Sequence, residues 1–309
     1  MSLFTPSTES AADVRELASD AGITARRRAF RALHQQGCFV IPNPWDVGSA
    51  RYLEHLGFPA LATTSAGFAF SQGLPDSAED VVVSRNRTLA HIASIVAAVD
   101  LPVNADFMSG YGLEPEDVAD SVARCIATGV AGLSIEDSTG DPRAPLYELP
   151  IAVARVRAAR QAIDRSGADV LLTARAECYH VDHPDPFRES MRRLEAYAEA
   201  GADVLFAPGP QNADEIKALV HAVAPKPFNL LVVSDIGLRV DDVAALGVRR
   251  ISVGGALALA AWAGFTRAAR TLRSEGSFAG LADVVPYPEI NGLFAANLRG
   301  HAAARGQAT

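Results

Sequence analysis

Acidic residues and one arginine recur in this sequence directly after short β-branched or apolar runs. Asp106 follows in "LPVNADF", Glu136 and Asp137 close "GLSIED", and Arg175 and Glu177 close "VLLTARAE". Thr64, Ser65, Ala66 and Gly67 end or follow a fourth such run, "ALATTS", with Asp76 soon after in "GLPDS". Such carboxylates are hard oxygen ligands, suited to Mg2+ or Mn2+ rather than to zinc. Two places beyond Asp106, where a second acid would make a metal-binding pair, stands Met108. Magnesium usually keeps several waters, so one direct carboxylate with others bonding through water is chemically sufficient. Any single acid could equally cap a helix or pair with a nearby arginine. Four acids and an arginine at matching positions favour a site.

For these groups to meet, the runs that carry them must be neighbouring strands. From about residue 38 the chain repeats one plan: a short apolar run, a Gly, acidic or polar turn, then a helical pattern. The expected strands are "CFVIPN", "ALATTS", "LPVNADF", "GLSIED", "VLLTARAE", "VLFAPG", "PFNLLVV" and "RISVGG". Between them lie helical segments such as "DVGSARYLEHLG", "EPEDVADSVARCIATG" and "PFRESMRRLEAYAEAG", several ending in the Gly that stops a helix. Near-continuous apolar strands alternating with helices indicate a parallel sheet covered on both sides. Eight units predict a (β/α)8 TIM-type barrel over about 38–275, whose active site lies at the C-terminal strand ends. An open doubly wound sheet would favour a glycine-rich dinucleotide turn after the first strand, and "IPNPWDVGS" has no such motif. Residues 1–37 are expected to lead with a helix over 10–36, and 276–309 to form a C-terminal tail. No linker divides the chain, so 1–309 is read as one domain.

The composition narrows the class of partner. Of 309 residues, 49% are hydrophobic and 21% charged, an ordinary globular balance. A net charge of −8 argues against nucleic acid, which calls for clustered Lys and Arg. Three unpaired cysteines and a start without a basic, apolar leader predict a cytoplasmic protein without an export signal. No apolar stretch is long enough for a bilayer.

Taken together, "SARYLEHLGFPALATTSAG", "GLPDS", "NADF" with "SGYG", "GVAGLSIEDS" and "LLTARAE" resemble the isocitrate lyase/phosphoenolpyruvate mutase superfamily, in order, over roughly 38–275. The resemblance implies a magnesium-dependent barrel that binds 2-oxo acids or their enolates and breaks or rearranges bonds next to the carbonyl. It implies Asp106 as the principal metal-binding aspartate, with Asp76 and Glu136 holding the ion's hydration shell. It implies Arg175 as the carboxylate-binding arginine and Thr64, Ser65 and Ala66 as a backbone cradle for carboxylate and enolate oxygens. Glu177 is assigned with them to substrate binding. Two departures stand out. Met108 replaces the family's usual Asp or Glu, and the loop "DSTGDPRAPLYELP" lacks the cysteine or lysine that lyases and mutases carry there. Asp137 and Tyr147 are its candidate proton donors, and Glu136, Asp137 and Arg175 the expected catalytic set. Enolate stabilisation survives, which predicts cleavage of a small 2-oxo or 2-hydroxy dicarboxylate of the oxaloacetate kind. The rival expectation is a non-catalytic or decayed barrel that binds a small acid.

Other features read as structural. Cys178 is taken for a buried or rim thiol, "HVDHPD" with His180 and His183 for a solvated loop, and "SVGG" at 252–255 for a sharp strand-to-helix turn rather than a phosphate cup. The segment "ALALAAWAGFTRAARTL" is too apolar for an outer barrel helix with one wet face. It fits a subunit contact, and the resemblance implies an eighth helix swapped within a dimer or tetramer.

Overall fold

Each of the eight expected apolar runs contains a strand, and each strand is shorter than its run. The strands are β1 (Phe39–Ile41), β2 (Leu61–Ala62), β3 (Val103–Asp106), β4 (Gly132–Glu136), β5 (Leu171–Arg175), β6 (Val204–Phe206), β7 (Phe228–Leu231) and β8 (Arg250–Ser252). All pairings are parallel, in the order β1-β8-β7-β6-β5-β4-β3-β2. The remaining seam is bridged where the Ala62 N–H donates to the Pro42 carbonyl at 3.0 Å. The result is a (β/α)8 barrel. This computed structural model describes residues 20–76 and 83–306.

Helices α1 (Asp20–Leu33), α2 (Val47–His55), α3 (Ser65–Ser71), α4 (Arg85–Ala98), α5 (Pro115–Ile126), α6 (Leu149–Ser166), α7 (Pro186–Glu199), α8 (Ala213–Val223), α9 (Val240–Ala245), α10 (Ala256–Glu275) and α11 (Tyr287–Gly306) complete the chain. Local chemistry sets their ends. Asp46 and Ser49 form a capping box on α2, Thr64 caps α3, and Asp185 caps α7 just before Pro186. Gly167 stops α6 at φ 67°, a left-handed turn that glycine adopts without cost.

The leading helix acts as the barrel's base, and residues 10–19 of the expected span lie outside the described ones. Phe30 of α1 is fully buried against Phe39, Ile41, Ala60, Ala62, Ala131 and Leu171. Burying such a ring contributes about 1.5–3 kcal/mol. Arg27 ties the same helix to the Val130 and Ile126 carbonyls, and Arg31 pairs with Asp169. The bottom is thereby closed, and access is from the C-terminal strand ends. Within 276–309 a long helix, α11, packs on α2. Among the described residues no helix is long and apolar enough to cross a membrane.

Candidate active site

Strand register brings the predicted acids together. Asp106 is level with Ser134 on the next strand, and Glu136, two residues further up, is level with Arg175. The Arg175 Nη1 lies 3.4 Å from Glu136 Oε2 and 3.8 Å from Asp106 Oδ1. Its Nη2 donates to Glu177 Oε2 at 3.2 Å, and its Nε donates to the other Glu177 oxygen. The Phe206 ring centre lies 5.1 Å from the guanidinium carbon. Asp106 is held from the other side by the Ser65 N–H, which donates to Oδ2 at 2.9 Å. Its own N–H donates to Thr63 Oγ1, also at 2.9 Å.

These charges do not balance locally. Burial pushes the Glu136 carboxyl up to about 8. Burial also raises Asp76, and the neighbouring Asp106 charge adds to that rise. For Glu177, burial is outweighed by Arg175 and His180, which hold it below the ordinary carboxylate range. Burial works against the Arg175 charge as well, yet Glu177, Glu136 and Asp106 together hold its pKa well above the usual value. One guanidinium thus faces Asp76, Asp106, Glu136 and Glu177.

A cavity of about 230 Å³ opens onto this cluster. Thr64, Ser65, Ala66, Asp76, Asp106 and Arg175 line it. Asp76 Oδ1 is buried and has no hydrogen-bond partner among the described residues. Among the described residues no three His, Cys, Asp or Glu side chains lie close enough to share an ion directly. An ion of the magnesium type, held directly by one carboxylate and through waters by the others, nevertheless fits. Four acids share one guanidinium, and Asp76 offers an oxygen that no described residue uses.

Some predicted residues lie elsewhere. Asp137 is turned into the layer between strand and helix. Tyr197 Oη donates to its Oδ2 at 2.5 Å, Arg193 does so at 3.0 Å, and the Glu177 N–H donates to Oδ1 at 2.8 Å. With its oxygens so occupied, it anchors the strand-five loop and is not in the cavity wall. Tyr147 is likewise withdrawn, its ring stacked 4.1 Å beneath the Arg155 guanidinium. Glu177 holds Arg175 rather than facing the cavity. The Ser65 N–H is engaged by Asp106, so it orients that carboxylate. Met108 sits at φ 50°, and its sulfur accepts from Tyr111 Oη at 3.4 Å.

The structure adds a residue that the sequence reading set aside. His180 lines the cavity, with Nδ1 2.9 Å from Glu177 Oε2. The signal was a Glu-x-x-His spacing beginning at a strand end. His183 instead accepts the Asp185 N–H within its own loop. Cys178 is fully buried, and burial pushes its thiol up to about 11, which leaves it unreactive. At "SVGG", the Val253 and Gly254 N–H groups both donate to Asn43 Oδ1 at 2.9 Å, so they are not free to hold a phosphate.

Comparison with known proteins shows the family. Residues 30–273 match the model of the phosphoenolpyruvate phosphomutase family. A "putative lyase/mutase" from Burkholderia cenocepacia J2315, known from its crystal structure, is 46% identical, covers 89% of this chain and 98% of its own, and superposes with a TM-score of 0.84. An uncharacterized protein of Mycobacterium tuberculosis is 34% identical over 85% of this chain and 94% of its own length. The oxaloacetate decarboxylase of Paraburkholderia xenovorans is 30% identical over 65% of this chain and 66% of its own length. The chain belongs to the isocitrate lyase/phosphoenolpyruvate mutase superfamily and is an enzyme of its carbon–carbon lyase and mutase type.

Proposed function

We propose that this enzyme cleaves the carbon–carbon bond one carbon removed from the carbonyl of a small 2-oxo dicarboxylate, or the corresponding bond of a 2-hydroxy dicarboxylate, in the manner of oxaloacetate decarboxylation, with Mg2+ as cofactor. The observation that carries this reading is the pairing of Asp106 with Arg175 on the wall of a cavity that also holds the unpartnered Asp76 oxygen, with Glu136 3.4 Å from the same guanidinium. Similarity to an oxaloacetate decarboxylase supports the choice of substrate class. Asp106 would hold the metal directly, and Asp76 and Glu136 through water. When bound, the ion supplies Lewis-acid polarisation of the 2-oxo group.

The protein's own groups do the rest. Arg175 presents a planar fork that suits a carboxylate, and Glu177 fixes it from behind. Thr64, Ser65 and Ala66 wall the cavity beside Asp106 and set how closely the acid approaches. Loss of CO2 leaves an enolate, which must take a proton on carbon to become the product. With Nδ1 against Glu177 and its ring on the cavity wall, His180 can deliver that proton from Nε2 when both ring nitrogens carry one. The chemistry needs neither Asp137 nor Tyr147.

The test is release of pyruvate from oxaloacetate. Wild-type enzyme with Mg2+ should turn over, EDTA should abolish turnover, and Arg175→Lys should lower kcat/KM by about 100-fold or more, since a lysine cannot reproduce the fork. Full activity in EDTA, or an unimpaired lysine variant, would refute the proposal.

A further inference from the structure

The cavity continues below the catalytic cluster to a buried cation without an acid. Barrel interiors of this fold are ordinarily filled by branched apolar side chains. Beneath the mouth this barrel instead carries Asn104, Ser134, Thr173, Asn229, Arg250 and Ser252, all buried. Arg250 is 3% exposed and reaches from β8 across the interior to β5. Its Nε donates to Asn229 Oδ1 at 2.7 Å and its Nη2 to Thr173 Oγ1 at 3.1 Å. Its Nη1 lies 3.5 Å from His34 Nε2. The Phe30 carbonyl, 2.8 Å from His34 Nδ1, places the ring proton there, and burial holds that ring's pKa down to about 3. His34 is therefore neutral, and so is every partner of Arg250.

Buried charges are normally paired, because leaving one alone costs several kcal/mol. Among the described residues Arg250 has no ion pair, and burial draws its pKa down to about 9. Three of its five N–H groups have partners, leaving two for an anion. It lines the same cavity as Ser65, Asp106 and Arg175. Thr173, its partner on β5, is two residues below Arg175, or roughly 7 Å along the strand. The two guanidinium groups thus stand at different depths along one polar shaft, a separation that a short carbon chain can bridge.

We infer that Arg250 binds the distal carboxylate of a two-acid substrate whose 2-oxo end is held at Asp106 and Arg175. This assignment rests on the function proposed above, so its test separates the two. Affinities of the Mg2+-loaded enzyme are measured by calorimetry for oxalate, 2-oxoglutarate and 2-oxopentanoate. Oxalate probes the mouth alone. The other two share a chain length and differ in the distal carboxylate.

Wild type should favour 2-oxoglutarate over 2-oxopentanoate by about tenfold or more, the usual worth of a charged hydrogen bond. Arg250→Gln should abolish that preference and leave oxalate affinity within about twofold. Absence of preference in wild type overturns the inference, and so does an equal loss for all three ligands in the variant. Should Arg250→Gln fail to fold, the wild-type preference and its partial retention in Arg250→Lys decide. Failure of oxalate to bind, with the diacid preference intact, would sink the metal–enolate reading and leave the Arg250 site standing.

Discussion

At the scale of single residues, position 108 and position 136 carry the sharpest consequences. Met108 holds a left-handed backbone, φ 50°, which asparagine and aspartate adopt more readily than methionine. It lines the small space beside Asp106 together with Asp76 and Tyr111. Met108→Asp should therefore relax the backbone and add a hard oxygen, tightening Mg2+ about tenfold in the presence of oxalate. Calorimetry reads this directly, and unchanged or weaker binding would remove position 108 from the ion's surroundings. Glu136 gives a pH signature. Its ordinary value is 4.5, and burial raises the folded value to about 8. The folded state keeps a proton that the unfolded chain releases, so this contribution is present below about 4.5 and lost as pH rises through 8. Glu136→Gln cannot ionise. In EDTA it should unfold at a higher temperature than wild type at pH 9, by at least about 4 °C, with the gap closing toward pH 5. A gap independent of pH would contradict the assigned shift.

At the scale of elements, the strand ends decide the site and helix α10 is the expected subunit contact. The alternation of apolar runs with Gly-stopped helices made β1 to β8 legible in order, because parallel strands covered on both faces leave an unbroken apolar signature. Helix α3 escaped notice, since it begins inside the turn that follows β2 and is capped by Thr64, itself read as part of the strand. Leu257, Leu259, Trp262, Phe265 and Leu272 are exposed on α10, and Ala258 is its one buried residue. This apolar surface suits a second copy of the chain, as the sequence pattern suggests. Phe265, 62% exposed, is a fair probe because its loss costs the folded subunit little. Light scattering should report a dimer or tetramer for wild type and a smaller species for Phe265→Asp. A wild-type monomer would rule out the contact.

At the scale of the whole molecule, the barrel is a shaft closed below by Phe30 and His34 and open above at Asp76, Asp106 and Arg175. Asp106, Glu136 and Arg175 were legible because each terminates an apolar run. Asp137 was not separable from Glu136 by position, yet adjacent residues at a strand end face opposite ways, and only the structure assigns Asp137 to the helix layer. His180 was hidden by lying in a loop, where no periodicity marks a direction. Arg250 was hidden as the first residue of a strand, indistinguishable in sequence from an exposed arginine at a loop end. The proposed reaction requires the mouth to hold a metal and an enolate together. Oxalate mimics the planar enolate of pyruvate, so thermal unfolding with Mg2+, with oxalate, and with both is the direct measurement. A rise in Tm that requires both ligands is the predicted result. No rise under any condition would mean a barrel without a working metal–enolate site, and the proposed reaction would fall with it.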